Sequence, residues 1–124
     1  RRLGATDGPI HVELADKRVT THLTAAAGGP SEVLIGDGPG ESVLDRVPLV
    51  MVRRRAPTAR FACILEPVSE GSRPAVTAVE AEQAPADIRV TIRRRGTTDT
   101  VVLADDSTFT VRSGGKVVLQ SRSR

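Results

Sequence analysis

At 124 residues the chain has the length of one domain with room for a core. Its net charge of +3, carried by sixteen Arg against two Lys, permits contact with an acidic polymer or surface without requiring one. With no Trp, no Tyr and no apolar run near the roughly 18 residues of a membrane helix, the composition argues against an aromatic sugar-stacking platform and excludes a helical membrane span.

Val, Ile, Leu and Thr dominate, with Gly and Pro recurring between short runs, so the chain favours strands over helices. It opens Arg1-Arg2 without Met or a secretory leader, and we read it as a fragment or processed piece of a larger product. Residues 10–14 (IHVEL) and 18–23 (RVTTHL) alternate with period two around a turn at Asp16-Lys17. The expected register pairs Ile10 with Leu23, Val12 with Thr21 and Leu14 with Val19 on one face. The other face then carries His11 opposite His22 and Glu13 opposite Thr20. A loop over 25–31 leads to a short strand, Val33-Leu34-Ile35, and GDGPG (36–40) reads as a turn.

Residues 47–66, VPLVMVRRRAPTARFACILE, hold two apolar runs joined by a basic turn. As a hairpin they pair Val52 with Phe61 and Met51 with Ala62. Neither run alternates, which is the pattern of strands covered on both faces; a small chain can supply one cover itself and the other comes from elsewhere. Cys63, the single cysteine, cannot form an internal disulfide and reads as a small core residue between Ala62 and Ile64. Residues 75–82 favour a strand over a helix because Pro74 and Pro85 bracket a Val- and Thr-containing run. In the last third, Ile88, Val90 and Ile92 alternate with Arg89, Thr91 and Arg93; GTTD and ADDS turn; and Gly114-Gly115 is a two-residue hairpin turn before Val117-Val118-Leu119. About ten short strands without a helix predict an all-β, antiparallel β-sandwich over residues 1–120, with a frayed tail at 121–124.

His11 and His22, the only histidines, lie close enough in this register to share a metal ion such as zinc, with Glu13 as third ligand; the alternative is two solvent-facing histidines. Arg53, Arg54 and Arg55, and Arg93, Arg94 and Arg95, sit where apolar strands end. Together they could meet carboxylates or sulfates of an acidic glycan, or else form solvated edges that discourage aggregation. GDGPG lacks the helix that a phosphate cradle needs. No G-x-S-x-G occurs, and Asp105-Asp106 falls in a turn, where it serves turn chemistry. The chain has neither a recognition helix nor a stacking platform, so nucleic acid is not expected as a partner.

The run VLIGDGPGESVLDRVPLVMVRRRAPTARFACILEP (33–67) resembles the C-terminal β-sandwich of heparinase II/III-like polysaccharide lyases. The features are Gly38-Pro39-Gly40, the Pro-led strand Pro48–Val52, the basic turn Arg53–Arg55, and a strand running from Phe61 to Glu66-Pro67. The resemblance implies a sheet domain packed on an α/α toroid. In such enzymes a base removes the C5 proton of a uronate, a neutralising group holds its carboxylate and the 4-linked sugar leaves by β-elimination. The family's catalytic Tyr and His lie mainly in or beside the toroid, so this chain would be the non-catalytic end, periplasmic or secreted, of a lyase acting on an acidic polysaccharide. The family also carries a zinc in its sheet domain held by His and Asp, whose ligands align with no residue here. A different class of reading is a free-standing β-sandwich module that binds an acidic glycan or a partner protein through its Arg clusters. A third is a generic assembly domain without glycan binding.

Overall fold

The computed structural model describes residues 2–121, all of whose regular elements are strands. They are β1 (Arg2–Thr6), β2 (Ile10–Asp16), β3 (Val19–Ala25), β4 (Ser31–Pro39), β5 (Arg46–Arg54), β6 (Cys63–Ser69), β7 (Val76–Gln83), β8 (Asp87–Arg94), β9 (Thr97–Ala104), β10 (Phe109–Ser113) and β11 (Lys116–Gln120). All pairings are antiparallel, in three sheets ordered β1-β4-β5, β2-β3-β6 and β11-β10-β9-β8-β7. The all-β antiparallel expectation therefore holds, with eleven strands. Among the described residues no helix is long and apolar enough to cross a membrane.

The two three-stranded sheets pack face to face. Ile10, Val12 and Ala25 are buried between them, and Leu14, Leu23, Val33, Ile35, Val50 and Val52 close around these three. Alternation explains the arrangement. Ile10, Val12 and Leu14 share one face of β2, and their partners Ala25, Leu23 and Thr21 continue it across β3. On the facing sheet Val33 pairs with Val52 and Ile35 with Val50. The β2–β3 register differs from the expected one by two residues: Val12 meets Leu23 and Glu13 meets His22. The connection is a two-residue loop, Lys17-Arg18, with Lys17 at φ 53°, one residue further along than the expected Asp16-Lys17 turn. An even slip leaves every side chain on its expected face.

The expected 47–66 hairpin does not form. The β5 strand pairs with β4, setting Val52 against Val33 and Met51 against Leu34, while β6 pairs with β3, setting Leu65 against Leu23. Residues 55–62 carry the chain from one sheet to the other, and Phe61 and Ala62 lie outside any strand. Both β5 and β6 are edge strands. Each contains a proline, Pro48 and Pro67, whose missing N–H is tolerated at an edge. Only one face of β5 is covered: Val50 and Val52 point into the sandwich, whereas Leu49 and Met51 point outward, Met51 being 51% exposed. Cys63 is exposed, not a core residue, because it lies with Leu65 on the bare face of the outer strand β6. GDGPG is not a turn either. Gly36 through Pro39 continue β4 opposite Leu49 to Arg46, and the chain reverses afterwards, where the Gly40 N–H donates to the Asp45 carbonyl.

The third sheet is a meander of consecutive hairpins. Val79, Ile88 and Ile92 are buried, Val79 at 3% exposure, and Arg89 and Arg93 face out. A bulge between Val76 and Ala78 resets the alternation of β7, so that Ala78 and Val79 are both turned from solvent; this accounts for the ambiguous pattern of 75–82. The Gly114-Gly115 turn has φ of 54° and 83°, the left-handed pair that a two-residue hairpin requires. The Arg95-Gly96 loop sits two residues earlier than the center of GTTD, and Thr97–Asp99 belong to β9. Ser121 is pinned rather than frayed, since its hydroxyl accepts from the Phe109 N–H and its own N–H donates to the Phe109 carbonyl; residues 122–124 lie outside the described residues.

Ile92→Ala should lower the free energy of unfolding by about 2–4 kcal/mol in urea denaturation, whereas Val118→Ala, on exposed β11, should change it by less than about 0.5 kcal/mol.

Candidate functional site

The polar face of the β2-β3-β6 sheet looks toward β7. On it, Glu13, His22 and Glu66 form one cross-strand row, and His11, Thr24 and Ile64 form the next. The two-residue register shift sets His11 and His22 diagonally rather than directly opposite, yet their side chains still converge. His11 Nε2 and His22 Nδ1 are 3.5 Å apart, and Glu13 Oε1 lies 3.6 Å from the first and 3.7 Å from the second. The His22 side chain is only 12% exposed, while those of His11 and Glu13 are 53% and 61% exposed. His11 Nδ1 contacts Thr24 Oγ1 at 3.2 Å. If that hydroxyl accepts the Nδ1 proton, the lone pair of His11 Nε2 is left facing Glu13 and His22.

His11 and Thr24 also line a cleft of about 660 Å³ whose opposite wall is β7, with Val76, Ala78 and Glu80 along it. Two side chains from the 60–66 segment fix this wall. The Glu66 carboxylate accepts the N–H groups of Ala75 at 2.6 Å and Val76 at 3.1 Å, holding the start of β7. The Arg60 guanidinium donates to the carbonyls of Ala84 and Asp87 and pairs with Asp105 at 2.7 Å, holding its far end. Neither residue was marked by the sequence pattern. Glu66 entered the sequence reading only as the end of a strand and Arg60 not at all, and their partners, mostly backbone atoms, are supplied only by the tertiary arrangement.

Five of the six triplet arginines are engaged within the chain. Arg53 pairs with Glu32, and it shares with Arg55, Asp7 and Glu32 the lining of a shallow hollow of about 200 Å³. Arg54 donates to Ser31 Oγ and the Arg60 carbonyl, with its guanidinium 4.7 Å from the Phe61 ring centroid. Gly28 leaves room for that guanidinium, because a Cβ there would stand 2.5 Å from it. Arg93 pairs with Glu80, Arg94 pairs with Asp99 at 2.6 Å, and Arg95 donates to the Arg73 carbonyl. One triplet spans the end of β5 and the other the end of β8, in different sheets. Of the turn carboxylates, Asp106 accepts from the N–H and hydroxyl of Thr108, the turn role read from the sequence, while Asp105 faces Arg60.

Three carboxyls are held below their ordinary range. For Asp99 the hydrogen bond from Arg94 is the main cause, followed by that from Ser113; for Asp106 it is the hydrogen bonds from Thr108. For Glu66, partial burial pushes upward but is outweighed by the N–H groups of Ala75 and Val76 and by the charges of His22 and Arg95.

No family model, no curated protein and no solved structure matches the chain.

A depressed Glu66 pKa means that the unfolded chain takes up this proton before the folded one does. The stabilisation is complete above the ordinary glutamate value and is lost as pH falls through the folded one. Glu66→Gln should therefore lower Tm at pH 7, and the gap to the parent should shrink steadily as pH falls through the acid range, as followed by circular dichroism melts.

Proposed function

We propose that the chain is a non-catalytic β-sandwich domain that works by packing against a larger companion, as the sheet domain of a heparinase II/III-like lyase packs on its toroid. The observation that carries this is surface. The chain has 9206 Å² of accessible surface at 13.1 kDa. A compact monomer of that mass exposes only about 6,400 Å². The difference is several times the ~800 Å² that one partner contributes to an ordinary interface. Much of it is apolar: Leu49 and Met51 on β5, Phe61 and Leu65 around β6, and Val117 to Leu119 on β11 are all exposed. No large side chain is fully buried among the described residues, as befits a domain completed by something else.

The alternative, a self-standing module that grips an acidic glycan through its arginines, has less support. Arg53, Arg93 and Arg94 already face carboxylates of their own chain, and Arg54 is turned onto Phe61. An acidic uronate polymer remains the substrate class of the companion under the lyase reading.

Binding of the purified chain to alginate, heparin and a neutral glucan across a salt series separates the two. The docking domain should hold none of them tightly, whereas selective, salt-sensitive binding would favour the module. In parallel, the double variant Leu49→Lys/Met51→Lys should reduce binding of an apolar dye while leaving the urea midpoint within error of the parent. Loss of the folded state in that variant would mean the outer face of β5 is core after all.

A further inference from the structure

We propose that His11, Glu13 and His22 form a binding site for one zinc-class divalent cation, with a coordination position left open to solvent. The inference does not depend on the companion reading. It rests on the near-equilateral triangle of donor atoms, with edges of 3.5, 3.6 and 3.7 Å. A tetrahedral ion with bonds of about 2.0–2.1 Å to nitrogen and oxygen needs its ligand atoms about 3.3–3.4 Å apart. The triangle exceeds that requirement by a few tenths of an ångström: an ion about 2.1 Å from each donor would lie in their plane, so the exposed His11 and Glu13 side chains must close by that amount to give the tetrahedral position. The three side chains come from one hairpin whose ladder and buried opposite face fix their backbone positions, so the site is set up by the same alternation that builds the core.

The donor chemistry agrees. Two imidazoles and one carboxylate are a set that zinc accepts, poorer in oxygen than calcium or magnesium prefer. Thr24 supplies the outer support: its hydroxyl, 3.2 Å from His11 Nδ1, can accept a hydrogen bond from Nδ1–H and so leave Nε2 as the ligand atom. Only these three donors converge among the described residues. Three protein ligands leave the fourth tetrahedral position vacant, and the exposure of His11 and Glu13 keeps it accessible. His11 also lines the 660 Å³ cleft, so a ligand on the ion has room beside it. The geometry points to an exchangeable site able to take water or a small anionic group, rather than to a closed structural one. Without a metal, the same three groups amount to a partly exposed histidine–carboxylate network, which is the competing explanation.

The experiment is titration of the intact chain with Zn²⁺ against a chromophoric chelator at pH 7.5, with Co²⁺ as a spectroscopic substitute. One equivalent should bind, and Tm should rise with free metal concentration. Glu13→Gln, at an exposed position that the fold does not need, should weaken binding at least tenfold, as should His11→Ala. Thr24→Val should cost a smaller factor, of the order of ten or less. Adding azide should shift the visible Co²⁺ spectrum, because an open position accepts it. Absence of binding by the folded chain, or binding undiminished in both Glu13→Gln and His11→Ala, would overturn the site. A Co²⁺ spectrum indifferent to azide would overturn the open position.

Discussion

Everything in this molecule hangs on the contact between two hairpins, β2–β3 and β4–β5, across a thin aliphatic seam. Nine residues make it, none aromatic, with Ile10, Val12 and Ala25 at the centre. Face-to-face sheets sit about 10 Å apart, a gap that Val, Ile and Leu from both sides fill without larger side chains. The five-stranded meander adds its own buried line of Val79, Ile88 and Ile92 and reaches the rest mainly through β7. Glu66 and Arg60 hold that strand at its two ends, so two polar clamps frame the cleft beside the histidines.

Alternation couples the seam to the site. Every residue that β2 sends inward obliges its neighbour to face the other way, so Ile10 and Val12 place His11 and Glu13 on the polar side. That much was legible from the sequence, and it survived a register error because the error was an even number of residues. The exact pairing was not legible. It turns on a loop of only two residues with Lys17 in a left-handed conformation, which a Lys does not advertise. The meander was read well for a similar reason: its turns are marked by Gly96, Gly114-Gly115 and the Asp-rich 104–107 segment, and its faces by clean alternation.

The 47–66 segment shows where local pattern stops being informative. Proximity in sequence favoured a hairpin, but β4 offered β5 nine paired positions, and β3, already paired with β2 along one edge, offered β6 the other. Pro48 and Pro67 were the overlooked signal: prolines inside two apolar runs mark two outer strands, which suits different sheets better than a shared hairpin. The unbroken apolar pattern was misread in part as well. On β5 it reflects one covered face and one bare one. Gly36 and Gly38 concealed the length of β4, and β1, whose RLGAT carries no strand pattern, was missed entirely. That Glu32, Glu80 and Asp99 meet Arg53, Arg93 and Arg94 was not legible either, because these partners lie on neighbouring strands whose register the pattern does not give.

We propose that this fold buries too little of itself to be complete alone. Heat capacity reports that most directly, since the increment on unfolding follows the apolar surface newly exposed to water. A self-sufficient domain of 124 residues should give about 1.5–1.9 kcal/mol/K. Scanning calorimetry of the isolated chain should return a value clearly below that range, and a value within or above it would contradict the claim that a companion covers the bare strands.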